Sequence, residues 1–292
     1  ISERVVIPLA RGTPNRTPFA KMDQPTKNTR ILLVSFIPRL ANQGLAYVAA
    51  TLGHAGFPVT TLTVPQPHLE PSDLQALVDF CTQLQPHWVG ISLMTPDLPR
   101  VQALTTSLKQ ALPDLPVVWG GIHPTLAPDD CLQYADMVCV GEGEATALEL
   151  AERFEQGHDV ADIDGLHLRR HEQTLRNPLR PYAPDLDSIP FPRHDREHWH
   201  VLTDDGAVQQ VTAELFRQHA AYDGTSVTVM TTRGCPYNCS YCCNHSIQQL
   251  YAAIGEHHHI RRRSVANVMA ELEHARDHMD DLKMVVFSDD SF

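Results

Sequence analysis

The sequence contains no hydrophobic run long enough to cross a membrane. A membrane-spanning helix needs ~20 consecutive apolar residues, and no stretch of the 292-residue chain approaches that length. The N-terminal segment is polar, contains several prolines and lacks the apolar centre of a signal peptide. We therefore expect a cytoplasmic protein that does not interact with membranes.

Basic residues are outnumbered by acidic ones. The chain has 23 lysines and arginines against 35 aspartates and glutamates, and its formal net charge is -12. A general nucleic-acid surface requires the opposite balance, so we expect no nucleic-acid partner. The run RRR at 261–263 precedes a predicted helix, and a solvated helix entry is favoured there over a phosphate contact.

Cysteine is scarce outside one short segment. The chain has 7 cysteines, and a group of them lies within residues 235–243. An odd number of unevenly spaced cysteines in a cytosolic protein does not suit a disulfide framework. Their clustering indicates metal or redox chemistry instead.

Several common cofactor and metal motifs are absent. There is no GxGxxG after the first predicted strand and no GKS or GKT, which disfavours a nicotinamide cofactor and a P-loop. Histidine is abundant, with 17 copies, and is concentrated at 194–200 and 256–260. Because no HExxH pair accompanies these histidines, exposed loop positions are favoured over a designed metal site.

Residues 30–157 alternate short apolar runs with stretches of helical periodicity. The predicted strands cover 30–36, 59–64, 87–94, 116–121 and 137–143, and the predicted helices cover 44–56, 72–85, 98–112, 128–135 and 144–157. Such alternation is typical of a parallel sheet with helices on both faces. It predicts an α/β fold, a doubly wound Rossmann-like domain with its ligand at the carboxyl ends of the strands.

The flanking segments differ from this domain. Residues 1–29 are predicted to be an N-terminal tail. Residues 158–222 are predicted to be a linker that contains the proline-rich, extended segment 177–195. A second domain is predicted over 223–292, with Ser264 as the N-cap of its main helix. Since the chain stops directly after an apolar strand, we expect it to be a fragment of a longer protein.

The cysteine loop has the pattern CxxxCxxC. Cys235, Cys239 and Cys242 can bind three irons of a 4Fe–4S cluster and leave the fourth iron open to a small molecule. Three alternatives remain. Cys243 or His245 could complete a structural zinc site, Cys243 could complete a four-thiolate electron-transfer cluster, or the cysteines could be buried without a ligand.

The segment RGCPYNCSYC resembles the signature loop of the radical S-adenosylmethionine superfamily. The resemblance implies that S-adenosylmethionine binds the open iron and is cleaved to a 5′-deoxyadenosyl radical. The electron would come from a donor such as flavodoxin or ferredoxin. It also implies that Tyr241 packs near the adenine and that Asp289, Asp290 and Ser291 contact the methionine amine. A solvated turn is the alternative for the two aspartates.

The order of strands and glycine-rich turns over 30–157 resembles the N-terminal cobalamin-binding domain of cobalamin-dependent radical S-adenosylmethionine enzymes. This implies that cobalamin lies at the carboxyl edge of the sheet and faces the cluster. The implied contacts are Ser92, Met94, Thr95, Gly120, Gly121, His123, Gly141, Glu142 and Gly143. A helix-capping role is the alternative for Glu142, and a turn role for His123. The DxHxxG motif is absent, so histidine from that motif is not expected to ligate cobalt.

Together the two resemblances imply an enzyme that acts on a small molecule. Methyl transfer to an unactivated carbon or a phosphorus centre is the main prediction, and cyclisation or rearrangement is the alternative. We also expect the second domain to begin a (β/α) radical S-adenosylmethionine barrel. Because a complete barrel takes ~200 residues or more, a non-catalytic iron–sulfur module is the third reading.

Overall fold

The computed structural model describes residues 25–38, 40, 42–170, 173–192, 197–257, 260–279 and 281–291. The strands are β1 Ile31–Ser35, β2 Val59–Thr63, β3 Trp88–Ser92, β4 Val117–Gly120, β5 Met137–Cys139, β6 Leu166–Arg170, β7 Gln173–Arg176, β8 Trp199–Leu202, β9 Val208–Gln210, β10 Ser226–Val229, β11 Thr232–Arg233, β12 Arg261–Arg262 and β13 Met284–Phe287. The α-helices are α1 Gln43–His54, α2 Pro71–Leu84, α3 Leu98–Ala111, α4 Ile122–Leu126, α5 Pro128–Cys131, α6 Gly143–Gln156, α7 Ala213–His219, α8 Cys243–Ala252 and α9 Val265–His278.

Across the described part of the chain, the largest sheet has nine strands in the order β7-β6-β5-β4-β3-β1-β2-β8-β9. The strands from β5 to β8 in this order run parallel. Parallel neighbours require a crossover connection, and the helices between β1 and β5 supply these crossovers. The predicted α/β class and doubly wound parallel sheet are confirmed.

The central strands are buried on both faces because helices cover each side. Every residue of β1 is buried, and alternate residues point to opposite faces. Leu32 and Val34 enter a core with residues of α2 and α3. Ile31 and Leu33 enter a second core with residues of α1 and α6.

The stretch predicted as a linker between the two domains also contributes strands to the large sheet. Residues 158–222 supply β6 and β7 at one edge of the large sheet and β8 and β9 at the other. β8 runs parallel to β2, whereas β9 is antiparallel to β8. The predicted domain limits themselves stay a prediction.

The predicted tail lies mainly outside the described residues, which begin at residue 25. Near the start of the described residues, the backbone is hydrogen-bonded to the end of α6. The backbone N–H of Thr29 donates to a Glu155 carboxylate oxygen at 2.7 Å, and the N–H of Asn28 donates to the same carboxylate at 3.1 Å. These residues thus lie across the first domain.

The second unit is a β–α–β arrangement packed beside β8. β10 and β13 pair in parallel, with Val227 opposite Val285. Ser264 caps α9 as predicted, since its side chain accepts a hydrogen bond from the backbone N–H of Asn267. Val201 of β8 shares a core with Val227 and with residues of α7 and α9. The two units therefore pack against each other.

No helix in the described ranges is both long enough and apolar enough to cross a membrane.

Candidate functional site

A cavity lies where side chains become small on the sheet face covered by α1 and α6. Along β3, Trp88 is followed on this face by Gly90 and Ser92, and along β4, Val118 is followed by Gly120. The large residues support the helices at one end of the sheet. The small ones leave a cavity of about 380 Å³ toward the carboxyl ends of the strands.

The cavity is bounded by both units. Leu45 and Val48 of α1 and Ala147 of α6 form an apolar wall on the first unit. Met230 and Gly234 close it from the second unit, directly before the cysteine loop. A ligand in this cavity would therefore lie between the edge of the large sheet and the cysteine loop.

The structure brings together seven of the thirteen cofactor contacts implied by the two resemblances. Those that line the cavity are Ser92, Gly120, Gly121, Gly141, Glu142, Gly143 and Asp290. Met94, 44% exposed, Thr95 and His123 lie outside its lining. The Thr95 hydroxyl and the His123 Nδ1 are 3.1 Å apart. The roles of all these residues in ligand binding stay predictions.

Two of the turns beside the cavity require glycine. Gly121 has a φ of 100°, and a Cβ at this position would lie 2.9 Å from the carbonyl oxygen of Leu93. Gly141 has a φ of 89° and passes against the hydroxyl of Tyr251, where a Cβ would collide. Both residues hold the backbone close to the cavity in a conformation that L side chains rarely adopt.

The three predicted cluster ligands lie in one loop but are not gathered around a point. Cys235 is buried, whereas Cys239 and Cys242 are half-buried. Among the described residues, no group of three His, Cys, Asp or Glu side chains is placed to hold a metal ion. Metal binding commonly orders its own ligands. Three thiolates repel one another, and a bound cation is what would hold them close together. The predicted iron site stays a prediction.

Tyr241 and Asp289 lie in different surroundings. Tyr241 is 90% exposed. Asp289 accepts hydrogen bonds from the backbone N–H groups of Thr231 and Thr232 at 2.6 and 2.8 Å, and from the Thr231 hydroxyl at 2.5 Å. Asp289 thus fastens the end of β13 to the segment that leads into the cysteine loop. Its neighbour Ser291 is half-buried.

An ionic network joins the two units at the cavity. Arg233 donates to Glu142 at 3.2 Å and to Glu144 at 2.6 Å. Arg261 also donates to Glu142, at 3.1 Å through its Nη1, and its guanidinium lies 4.0 Å from the centre of the Tyr182 ring. These side chains connect the turn before α6 to β11 and β12.

The network determines the charge state of Glu142. Burial alone would raise the pKa of Glu142, but the hydrogen bond from Arg261 and the charge of Arg233 lower it below the usual range. Burial raises the pKa of Tyr182 to about 12, although Arg261 opposes the rise. Glu142 is therefore an anion at neutral pH.

The expectation of a solvated helix entry at 261–263 is wrong for two of the three arginines. The Arg261 side chain is 13% exposed, the Arg263 side chain is 6% exposed, and both pair with glutamates; Arg262 alone is exposed. Nothing in the run RRR itself indicates that its first and third arginines are largely buried and its second is exposed. Arg233 was likewise missed, because its acidic partners are distant in sequence.

Residues 29–151 match the family model of the B12 binding domain. The first domain is a B12-binding domain. The match ends at Ala151, within α6, and so covers the strand ends and glycine turns that form the cavity wall.

Relatives match a longer part of the chain than the family model does. The chain is 31% identical over 204 residues to anaerobic magnesium-protoporphyrin IX monomethyl ester cyclase of Synechocystis sp., covering 68% of this chain and 37% of that protein. It is 28% identical over 163 residues to the cobalamin-dependent radical SAM methyltransferase TokK of Streptomyces tokunonensis, covering 54% of this chain and 22% of TokK. The chain thus spans well under half the length of these relatives.

Solved structures share the fold of the B12-binding domain and the second unit. The radical S-adenosylmethionine methyltransferase TsrM from Kitasatospora setae matches with a TM-score of 0.64 and 22% identity, over 90% of this chain and 48% of that chain. The cobalamin-dependent S-adenosylmethionine radical enzyme OxsB matches with a TM-score of 0.66 and 16% identity, over 93% and 34%. The predicted resemblance to cobalamin-dependent radical S-adenosylmethionine proteins is confirmed.

Proposed function

We propose that this chain contributes the cobalamin and cluster sites of a cobalamin-dependent radical S-adenosylmethionine enzyme. The reaction is methyl transfer to an unactivated carbon or phosphorus centre of a small molecule. The observation that carries the proposal is the cavity between the B12-binding domain and the cysteine loop. The similarity to TokK, which is named a cobalamin-dependent radical SAM methyltransferase, supports the choice of methyl transfer.

The cavity fits part of cobalamin. Its volume of about 380 Å³ lies within the range of small-molecule sites, and its walls are mainly apolar. It suits a flat aromatic group such as the benzimidazole base of the cofactor rather than the whole molecule. Trp88 lines the cavity, and its buried Nε1 has no hydrogen-bond partner among the described residues. This nitrogen has almost no accessible surface, so Trp88 offers the cavity an apolar contact rather than a hydrogen bond.

The donor set of the cysteine loop fits an iron–sulfur cluster. Cys235, Cys239 and Cys242 offer three soft thiolates beside Gly234, which lines the cavity. When bound, the cluster and S-adenosylmethionine would supply the radical, and cobalamin would carry the methyl group. Asp289 would hold the start of the loop, and Asp290 would present a carboxylate to the cavity for a cationic group such as the methionine amine.

We also propose the barrel, the electron donor and the cellular location that the resemblance implies. The parallel pair β10 and β13, joined through α9, supports the proposal that residues 223–292 begin a (β/α) barrel. An electron donor such as flavodoxin or ferredoxin and a cytoplasmic location are proposed from the resemblance.

A second candidate reaction uses the same site. The relative with 31% identity is named a cyclase, which favours ring formation as the alternative to methylation. Both reactions would use the same cavity and cysteine loop. The product distinguishes them, because methylation adds one carbon to the substrate and ring formation adds none.

The first test is the cofactor content of the protein. We would purify the full chain without oxygen, reconstitute it with iron, sulfide and hydroxocobalamin, and measure its visible spectrum and metal content. We expect about four irons and about one cobalt per chain. Iron without cobalt would remove the methyl-carrier role and keep the radical chemistry. Zinc in place of both metals would overturn the proposal.

Filling the cavity should weaken cobalamin binding. A Cβ at Gly120 would lie 3.6 Å from Cys139 Cβ, an ordinary contact, so Gly120→Leu places its remaining atoms in the cavity. Overpacking of this kind costs about 1–3 kcal/mol, which corresponds to roughly a 5- to 150-fold rise in the Kd for hydroxocobalamin. Spectrophotometric titration measures the Kd.

Gly120→Ala is the matched control, because its single methyl group fits the observed space. We expect its Kd to stay within about threefold of the wild type, about 0.7 kcal/mol. Unchanged binding by Gly120→Leu, in a protein with a wild-type unfolding transition, would show that cobalamin does not use this cavity.

A further inference from the structure

Two arginines face each other across the short ribbon that precedes the cysteine loop. Arg233 of β11 pairs in register with Arg261 of β12. Their side chains are only 15% and 13% exposed. Like charges directly opposite each other destabilise a strand pair, and limited exposure to water weakens the screening. This ribbon therefore needs a negative charge between its two arginines.

The B12-binding domain supplies that charge. The carboxylate of Glu142 contacts both Arg233 and Arg261, and Glu144 takes the second Nη of Arg233. The turn that carries Glu142 is itself fixed, since its backbone N–H donates to the Tyr251 hydroxyl at 3.0 Å. The turn between β5 and α6 thus neutralises the ribbon by lying against it.

The same residues border both proposed ligand sites. Glu142 and its neighbours Gly141 and Gly143 line the cavity, as do Arg233 and Gly234. The next residue after Gly234 is the first cysteine of the loop. A ligand that fixes the glycine turn also fixes Glu142, and through the two arginines it fixes the start of the cysteine loop.

We propose that Glu142 is a positioning residue, and that the Glu142–Arg233–Arg261 network couples cobalamin binding in the cavity to cluster binding in the cysteine loop. The inference rests on the proposed function, because it assumes that both groups bind. Coupling between two binding sites is reciprocal. The cluster therefore raises the affinity for cobalamin, and cobalamin raises the affinity for iron by the same factor.

The test compares hydroxocobalamin binding by the full chain with and without the reconstituted cluster. We expect the Kd to be about tenfold lower when the cluster is present, within the usual range of coupling between sites. The reverse measurement is the iron retained at equilibrium against a chelator, with and without hydroxocobalamin. Neither measurement requires turnover.

Two variants assign the coupling to the network. Glu142→Gln keeps the size of the side chain and removes its charge, and Arg261→Gln removes one of the facing arginines. The coupling is measured by the Kd for hydroxocobalamin without the cluster divided by the Kd with it. In each variant we expect this ratio to fall to about 1. The double variant should show no further change, because both substitutions break the same connection.

Glu149→Gln is the matched control. Glu149 lies on α6 and pairs with Arg153 and Arg180, away from the cysteine loop. This variant should keep the wild-type ratio. A general loss of stability would alter both Kd values together, so the ratio separates coupling from damage to the fold.

The outcomes separate the inference from the proposed function. If the wild-type protein binds both groups with a ratio of Kd values near 1, the coupling is wrong and the function stands. If Glu142→Gln and Arg261→Gln keep the wild-type ratio, the network is not its carrier and the inference fails. A wild-type protein that binds no cobalamin would overturn both.

Discussion

Replacing Cys239 by alanine should abolish the iron–sulfur cluster of the reconstituted protein. Three thiolates are needed to hold a cluster whose fourth iron is open, and the loop has no spare ligand in the CxxxCxxC pattern. Iron should fall from about four per chain to near zero. Cobalt should remain near one per chain at saturating hydroxocobalamin, because the B12-binding domain supplies most of the cavity wall. Iron, acid-labile sulfide and cobalt assays measure the three contents.

Cys243→Ala is the control that separates the alternatives for this loop. Burial and the neighbouring Cys242 raise the pKa of the Cys243 thiol, which disfavours the thiolate that a metal needs. We expect the variant to keep its full iron content. Loss of iron from Cys243→Ala would indicate a four-thiolate cluster. Full iron content in Cys239→Ala would contradict the assignment of the three ligands.

Glu271→Ala should lower the free energy of unfolding by about 3–5 kcal/mol, the cost of leaving a buried charge without its partner. The Glu271 side chain is fully buried, and that of its partner Arg263 is 6% exposed. Burial raises the pKa of Glu271, and the charge of Arg263 limits the rise. Arg263 also donates to the Met230 carbonyl at 3.0 Å. Urea denaturation of the full chain, followed by circular dichroism, measures the change.

Glu273→Ala provides the comparison on the same helix. Glu273 is exposed, and surface substitutions usually change stability by less than about 0.5 kcal/mol. The difference between the two variants isolates the buried pair. A loss below about 1 kcal/mol in Glu271→Ala would show that Arg263 finds another partner or reaches water.

The parallel sheet of the B12-binding domain was predictable because its signals are local. Short apolar runs such as 30–36 cannot be exposed, and each is followed by a stretch with helical spacing. Crossover helices force neighbouring strands to run parallel. The same logic places Gly120 and Gly141 at one edge of the sheet, where both line the cavity.

The edge formed by β8 and β9 was not predictable in the same way. β8 and β9 are short, and their residues carry no distinctive alternation. They become strands because β2 leaves an unpaired edge that the returning chain can satisfy with hydrogen bonds. Whether the segment between two predicted domains only connects them or also completes a sheet depends on which edges the rest of the fold leaves open.

The sequence by itself determined the fold class, the cysteine loop and the family resemblance, because each depends on residue types at fixed short spacings. Only the tertiary structure decided what the charged residues do. Glu142 and Arg233 are separated by 91 positions, and Asp289 binds the backbone of Thr231 across 58 positions. Pairing over such separations depends on how the two units pack, since electrostatic energy follows distance in space and burial from water.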